Sequence, residues 1–138
     1  MTKIKSLTAI LFVAIFMFSF FSCGENNDPW EDAIYTENTT LGQGKNTFTL
    51  EVEVGEHIVT FTVSTSEKML DKALLELELI EGYEDIYGLY IERVNGILAD
   101  YNIDQTYWAL YINGSYAITG ISSTEVVPGS TYKLSREK

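Results

Sequence analysis

The sequence predicts an α+β domain in which one helix packs on a mixed or antiparallel sheet of about five strands. Three observations lead to this fold class. The apolar residues alternate near residue 50 and follow a helical period near residue 70, and a second β-rich stretch begins near residue 87. Asn-Gly pairs, which favour tight hairpin turns, separate short segments rich in β-branched and aromatic residues. The order of a hairpin, a helix and several short strands is β-grasp-like.

The predicted hairpin occupies residues 46–64. Apolar residues alternate with Thr and Glu on both sides of Gly55-Glu56, which is the period of strands with one buried face. The apolar positions are Phe48, Leu50, Val52, Val54, Val59, Phe61 and Val63. We therefore expect the Thr and Glu side chains to cover the opposite face of the sheet.

The helix is predicted to run from about Glu67 to Leu79, because Ser64 and Glu67 have the spacing of a capping box. Its apolar face carries Leu70, Ala73, Leu74 and Leu77. We expect this face to cover the buried side of the sheet. The acidic residues that follow are Glu81, Glu84 and Asp85, and they are expected in a solvated loop.

Further strands are predicted at residues 87–94, 107–112, 115–118 and 131–135. Asn95-Gly96 and Asn113-Gly114 are the expected turns, the second of them of type I′. Side chains alternate between the two faces of a strand. The core is therefore predicted to contain Trp108, Leu110 and Ile112, which leaves the tyrosines of this strand on the outer face.

Those tyrosines are the candidates for a binding surface. Tyr107 and Tyr111 are expected on the outer face, with Tyr90 from another strand as a further candidate. An exposed aromatic platform suits flat or apolar ligands. Ordinary cross-strand pairing of tyrosines is the alternative, and the sequence leaves it open.

The N-terminus has the features of a secretory signal. Lys3 and Lys5 precede an apolar run that ends at a small residue before Cys23. This ending resembles the lipobox of bacterial lipoproteins, in which the cysteine is acylated and becomes the mature N-terminus. A transmembrane anchor would need ~20 apolar residues, and a plain signal peptide would leave a lone thiol in an exported protein. We therefore predict lipidation at Cys23 and a location in the bacterial cell envelope, outside the cytoplasm.

Three regions follow from these features. Residues 1–22 are the predicted signal, residues 23–45 are the lipidated cysteine and an acidic tether, and residues 46–138 are the folded domain. The tether is polar, contains Gly and Pro, and shows no sustained period. Trp30, Ile34 and Tyr35 could dock locally, but they are too few to make a core.

The charge limits the class of partner. The formal net charge is -11 at pH 7, and loss of Lys3 and Lys5 with the signal makes it more negative. Such a chain repels phosphate backbones, so a nucleic-acid partner is not expected. Anionic lipid headgroups also repel it, so the membrane is expected to hold the domain through its lipid alone. Cys23 is the only cysteine, which excludes an internal disulfide.

No catalytic motif is present in the sequence, and we predict neither enzymatic activity nor a required cofactor. His57 is the only histidine, and there is no Gly-x-Ser-x-Gly, phosphate loop or His/Cys metal pair. Asp100, Asn102 and Asp104 resemble the opening of an EF-hand loop, but its glycine and its last glutamate are missing. An acidic connecting loop is the simpler interpretation.

Several short motifs occur in a fixed order along the second half of the chain. They are Thr106-Tyr107-Trp108, Tyr111-Ile112-Asn113-Gly114, Tyr116, Gly120-Ile121 and Gly129. In this order they resemble a widespread bacterial domain of unknown function, DUF4430. That domain is similar to the C-terminal β-domain of the transcobalamin and intrinsic factor carriers. The resemblance extends over roughly residues 46–138.

The resemblance implies a site for a corrinoid such as cobalamin. In the carriers, the loop that matches residues 114–120 approaches the corrinoid, which implies ligand contacts by Tyr116, Ala117 and Ile118. Tyr107 and Tyr111 join this set from the strand argument. We expect a lipid-anchored module that binds a small planar ligand beside a membrane transporter. The alternative is a protein–protein interaction module at the cell surface, without a small-molecule ligand.

Overall fold

The computed structural model describes residues 28–138. The predicted signal, Cys23 and the start of the predicted tether lie outside this range. Among the described residues, no helix has the length and apolar character needed to cross a membrane.

Within residues 28–138, nine strands form two sheets, and the helices are few and short. The larger sheet contains, in spatial order, Thr39–Gly42 (β1), His57–Thr65 (β3), Asn46–Val54 (β2), Thr131–Glu137 (β9), Tyr107–Ile112 (β7) and Ser115–Tyr116 (β8). The smaller sheet contains Ile80–Asp85 (β4), Gly88–Val94 (β5) and Ile97–Leu98 (β6). The helices are Leu70–Glu76 (α1) and Tyr101–Asp104 (α2), with 3-10 turns at Pro29–Asp32 and Ile121–Ser123.

The coarse prediction of a strand-rich fold of mixed helix and sheet is confirmed. β2 and β3 form the predicted antiparallel hairpin with Val54 opposite His57, while β1–β3 and β2–β9 are parallel pairs. The prediction of a single sheet is wrong, because β4, β5 and β6 form a sheet of their own. The β-grasp arrangement is not confirmed.

β4 replaces the loop that the sequence predicts around Glu81, Glu84 and Asp85. Only Ile80 of this strand is buried, so its sequence carries no alternation that could reveal it. The strand is defined by antiparallel pairing with β5, which places Ile80 opposite Val94. Its existence therefore depends on the neighbouring strand rather than on its own pattern.

Helix α1 begins at Leu70, later than the predicted start near Glu67. Met69 is extended and forms an isolated antiparallel bridge with Glu125. That bridge holds the chain out of the helical conformation just before α1. The predicted capping box is absent from this segment of the described chain, where Thr65 Oγ1 accepts the hydrogen bond from the Glu67 N–H at 3.0 Å.

The core is shared by α1 and the two sheets. The principal neighbours of α1 are the turn Ile121–Ser123 and β4, so the predicted packing of one helix on a single sheet is not confirmed. The largest fully buried side chains are Tyr132, Phe48, Phe61, Leu50, Leu70, Leu74, Leu79, Ile80, Ile97, Leu134, Val52 and Val59. Trp108 and Leu110 are buried as predicted, and Ile112 is half-buried at the margin of this core.

The described part of the predicted tether is docked on the domain, which corrects the predicted boundary at residue 46. β1 extends the larger sheet through parallel pairing with β3. The Asn95 side chain accepts a hydrogen bond from the Tyr35 N–H and donates one to the Tyr35 carbonyl, both at 2.8 Å. The ring of Trp30 stacks on His57 with 4.8 Å between centroids. These partners are distant in sequence, so local composition gave no sign of them.

Candidate ligand site

A cavity of about 210 Å³ lies beside the edge of β7; we call it the β7-edge cavity. Three segments form its walls. From β5 come Leu89, Tyr90 and Ile91, and from β7 come Tyr107, Trp108 and Leu110. The segment after β8 adds Tyr116, Ala117, Thr119, Gly120 and Ile121. Most of this lining is aromatic or aliphatic, as in sites for flat or apolar ligands.

The cavity exists because the pairing of β7 with β8 is very short. Only Tyr111 and Ile112 have partners in β8, and the Ala117 N–H then donates to the Leu110 carbonyl at 2.9 Å. Backbone groups two residues apart in a strand point to the same side. The N–H and C=O of Trp108 therefore also point to this edge, where no strand of the described chain pairs with them.

The Asn-Gly turn before β8 has the predicted conformation. Asn113 and Gly114 both have positive φ, 48° and 86°, as a type I′ turn requires. This turn sets the register that places Tyr116 opposite Tyr111. It thus determines where the segment after β8 leaves the sheet and becomes a wall of the cavity.

The inner wall is held in place by polar contacts with the core. Trp108 is 8% exposed, and its Nε1–H donates to the Glu92 carbonyl at 3.1 Å. The Ser122 hydroxyl accepts from the Leu89 N–H at 2.9 Å and donates to Oδ2 of the buried Asp71 at 3.0 Å. Asp71 in α1 therefore positions the β5 wall through Ser122.

The structure brings together three of the five residues predicted to bind ligand. Tyr107, Tyr116 and Ala117 line the β7-edge cavity. Ile118 lies beside the lining residues but is 98% exposed. Tyr111 does not line the cavity, although its ring meets that of Tyr116 edge-on with 5.5 Å between centroids.

Tyr111 is held on the outer face of the larger sheet by other groups. Its hydroxyl donates to Glu137 Oε2 at 2.7 Å, and Lys133 Nζ lies 4.7 Å from its ring centroid. Lys133 in turn forms an ion pair with Glu53 at 3.1 Å. The predicted outer-face position is therefore observed, while the convergence of Tyr111 with the other site residues is not.

The hydrogen bond to Glu137 raises the pKa of Tyr111 to about 12, with smaller contributions from desolvation and from the Glu137 charge. This folded-state pKa exceeds the ordinary tyrosine pKa of about 10. The hydrogen bond therefore stabilises the fold fully below a pH of about 10, and its contribution is lost as the pH rises through the folded-state pKa. We expect Tyr111→Phe to remove the last tyrosine ionisation from a spectrophotometric titration. An unchanged high-pH limb in Tyr111→Phe would contradict the assignment.

Of the β5 residues that line the site, the sequence pointed only to Tyr90. Leu89 and Ile91 were visible as alternating residues of a predicted strand, but β5 belongs to the smaller sheet and meets β7 only through tertiary packing. Gly120 ends the segment 114–120 that the resemblance brings to a corrinoid, whereas Ile121 belongs to the family pattern without a predicted ligand role. Their order after the Asn-Gly turn was the one signal that could have placed them at the site.

A second recess, of about 450 Å³, lies between the turn Pro29–Asp32 and α2 and has more polar walls. Arg136 occupies it and binds Asp104 Oδ2 and the Leu98 carbonyl, each at 2.9 Å. Asp100 caps α2 by accepting from the Asn102 N–H at 2.9 Å. Asp104 Oδ1 likewise accepts from the Thr106 N–H at 3.1 Å. Among the described residues, no group of three His, Cys, Asp or Glu residues is placed to hold a metal ion.

Comparison with known proteins supports the assignment that the motifs suggest. The family described as a domain of unknown function, DUF4430, matches residues 64–133, a range that contains every residue lining the β7-edge cavity. No curated protein sequence matches the chain.

Two solved structures resemble this fold. A candidate metal-binding protein from Ruminococcus gnavus ATCC 29149 superposes with a TM-score of 0.64 at 26% identity, covering 68% of this chain and 98% of that protein. Haptocorrin in complex with Cbi superposes with a TM-score of 0.52 at 25% identity, covering 71% of this chain but 26% of haptocorrin. This chain is therefore similar to one part of haptocorrin, and it belongs to the DUF4430 family of transcobalamin-like domains.

Proposed function

We propose that this protein is a lipid-anchored, extracytoplasmic module that binds a planar or apolar small molecule, such as a corrinoid, at the β7-edge cavity. The observation that carries the proposal is the convergence of Tyr107, Tyr116 and Ala117 with the apolar side chains of β5 around one cavity. The unpaired backbone groups at Trp108 supply a donor and an acceptor that could orient a ligand. In this function the protein captures and hands over its ligand, without catalysis and without a required cofactor.

The dimensions of the cavity favour a ligand that extends beyond it. Its volume, about 210 Å³, is below the ~300–1,000 Å³ usual for sites that enclose a drug-sized molecule. The exposed apolar side chain of Ile118, between the lining residues Ala117 and Thr119, adjoins it and is 98% exposed.

The likeness to haptocorrin in complex with Cbi supports a corrinoid as the ligand class. Because this chain corresponds to 26% of haptocorrin, a corrinoid on the β7-edge cavity would keep much of its other face uncovered. We propose that a membrane transporter or another surface protein covers that face during handover. The exposed rim around Ile118 is the surface available for that contact.

The proposed anchor is the acyl-modified Cys23. The described chain is docked on the domain from its first residues, where Asp28 Oδ1 accepts from the Trp30 N–H at 3.0 Å and Asp28 Oδ2 lies 3.6 Å from His57 Nε2. Only residues 24–27 separate Cys23 from this docked segment. The domain would therefore sit close to its lipid rather than at the end of a long tether.

Cys23→Ala is expected to abolish acyl labelling and to release the protein from membranes or leave it unprocessed. Metabolic labelling with an alkyne fatty acid and membrane fractionation measure the two effects. Ser22→Ala is a matched control, because it keeps a small residue before the cysteine and should preserve labelling. Labelling that persists in Cys23→Ala would contradict lipidation at this residue.

Cobinamide is the test ligand for the site, because corrinoids absorb light and quench nearby tryptophan fluorescence. We expect saturable quenching of the Trp108 fluorescence. The affinity for cobinamide should be at least fivefold lower in Tyr116→Ala. Tyr116 is 58% exposed, so this change should barely affect stability. Tyr111→Phe is the control outside the cavity and should bind as the parent does.

The Ile118→Ala variant adds information on ligand size. A corrinoid that overhangs the cavity should lose affinity when this rim side chain is shortened, whereas a small ligand held inside should be unaffected. Quenching by cobinamide that fails to saturate, or that is equal in Tyr116→Ala, would eliminate a corrinoid site here.

The open edge of β7 favours protein–protein interaction as the second candidate function. A partner strand could pair with the backbone groups of Trp108 and pack its side chains on the exposed rim. Hydrogen exchange at the Trp108 amide, measured after a membrane partner is added, distinguishes ligand binding from protein–protein interaction. Slower exchange at the Trp108 amide without any response to cobinamide would favour the interaction module.

A further inference from the structure

A third cavity, of about 120 Å³, lies on the face of the smaller sheet that carries Tyr83 and Tyr90; we call it the tyrosine cavity. β4 and β5 form its floor, and the segment from β6 into α2 forms one side. Its lining residues are Tyr83, Tyr90, Glu92, Ala99, Asp100, Tyr101 and Asn102. The function proposed above uses none of these residues except Tyr90, which borders both cavities.

Three tyrosine rings surround this cavity. Tyr83 and Tyr90 are directly opposite in the β4–β5 register, and their rings lie 5.2 Å apart at an angle of 31°. Tyr101, at the start of α2, is the third and is 58% exposed. The faces of aromatic rings carry negative potential and attract cations.

Two carboxylates complete the lining. Glu92, the extra residue of β5 at the bulge opposite Glu81 and Gly82, lines the cavity with Tyr90. Asp100 Oδ1 accepts from the Asn102 N–H, and no hydrogen bond of the described chain involves its Oδ2. No ion pair between described residues involves Glu92 or Asp100. The cavity therefore contains two acidic side chains without a cationic side chain to balance them.

The electrostatics of Tyr90 are consistent with this negative potential. Burial raises the pKa of its phenol, and Tyr83, Asp100 and Glu92 raise it further in that order. Burial disfavours any charge at this phenol, whereas Asp100 and Glu92 oppose a further negative charge in the cavity. The negative potential of these two carboxylates would stabilise a bound cation.

We propose that the tyrosine cavity binds a small organic cation, a quaternary ammonium or alkylammonium group, against its three tyrosines and two carboxylates. The aromatic walls suit a weakly hydrated organic cation, whereas a bare metal ion needs more oxygen ligands than two carboxylates supply. The cavity volume of about 120 Å³ is that of about four molecules of liquid water. This size suits a small cationic headgroup. The formal net charge of -11 raises the concentration of cations near the surface.

Choline and its neutral isostere 3,3-dimethylbutan-1-ol provide a direct test, because they differ in charge and scarcely in shape. The full-length protein in maltoside micelles is titrated with each and followed by ¹H–¹⁵N NMR. We expect saturable shifts at the amides around Tyr90 and Tyr101 with choline. The neutral alcohol should bind at least tenfold more weakly, and equal binding of the two would overturn the proposal.

Matched variants assign the binding to the tyrosine cavity. Tyr101→Leu and Glu92→Gln should each weaken choline binding at least fivefold, whereas Tyr101→Phe, which keeps the ring, should retain it. Tyr87→Leu removes an exposed tyrosine that does not line this cavity and should have no effect. A melting temperature equal to that of the parent excludes unfolding as the cause.

Two results would refute the site. One is choline binding that persists unchanged in Tyr101→Leu, and the other is a loss in Tyr87→Leu as large as that in Tyr101→Leu. Cobinamide quenching should be the same in Glu92→Gln as in the parent. The two cavities can therefore be tested separately.

Discussion

Replacing Tyr132 with Ala is expected to lower the free energy of unfolding by about 3–5 kcal/mol, the usual cost of deleting a buried aromatic side chain. Tyr132 is 1% exposed and lies in β9 between Leu50 of β2 and Ile112 of β7. Its ring meets Phe48 edge-on at 5.3 Å. Removing it would therefore leave a cavity in the centre of the larger sheet.

Tyr132→Phe separates packing from hydrogen bonding. The Tyr132 hydroxyl donates to the Glu125 carbonyl at 2.8 Å and accepts from the Val127 N–H at 2.9 Å. Phe keeps the ring and leaves both backbone groups without this partner, at a cost of about 1–3 kcal/mol. Urea unfolding followed by circular dichroism measures both variants. A Tyr132→Phe protein as stable as the parent would show that the hydroxyl does not hold the 125–127 loop.

Asn95→Ala is expected to lower the free energy of unfolding by about 2–4 kcal/mol, from two lost hydrogen bonds and added backbone strain. Asn95 is fully buried and has a positive φ of 52°. Its side chain binds both backbone groups of Tyr35, while its own carbonyl accepts from the Ile34 N–H at 3.0 Å. The substitution should therefore loosen the N-terminal segment as well as destabilise the fold.

Asn95→Gly is the control for the backbone term, because glycine adopts positive φ without steric cost. The difference in the free energy of unfolding between Asn95→Ala and Asn95→Gly measures the backbone strain. The loss of stability that remains in Asn95→Gly measures the lost side-chain contacts. Hydrogen exchange of residues 34–42 should accelerate in both variants. Unchanged exchange there would mean that Asn95 does not dock this segment.

The sequence was informative wherever a residue's own position determined its environment. Alternation identified β2 and β3, since every second residue over most of each strand is buried in the core. The Asn-Gly pairs identified turns, because few residues other than Asn and Gly accept positive φ. Trp108 was assigned correctly to the core by the same alternation, and the ordered motifs pointed to the family that the comparison confirmed.

Tertiary pairing decided the rest of the fold. β4 exposes all of its residues except Ile80, and β1 has no buried residue, so neither strand has an apolar pattern of its own. Each exists because a neighbouring strand satisfies its backbone hydrogen bonds. The division into two sheets and the docking of the segment around Tyr35 likewise depend on partners that are far away in the sequence.

The candidate site shows the same division. The sequence by itself determined a tyrosine-rich strand, an Asn-Gly turn and a single cysteine after an apolar run. The tertiary structure decided which tyrosines converge. Tyr107 and Tyr116 border the β7-edge cavity, while Glu137 and Lys133 hold Tyr111 on the outer sheet face. The reason is physical, because the face of a strand follows from local alternation but a cavity follows from where strands begin and end their pairing.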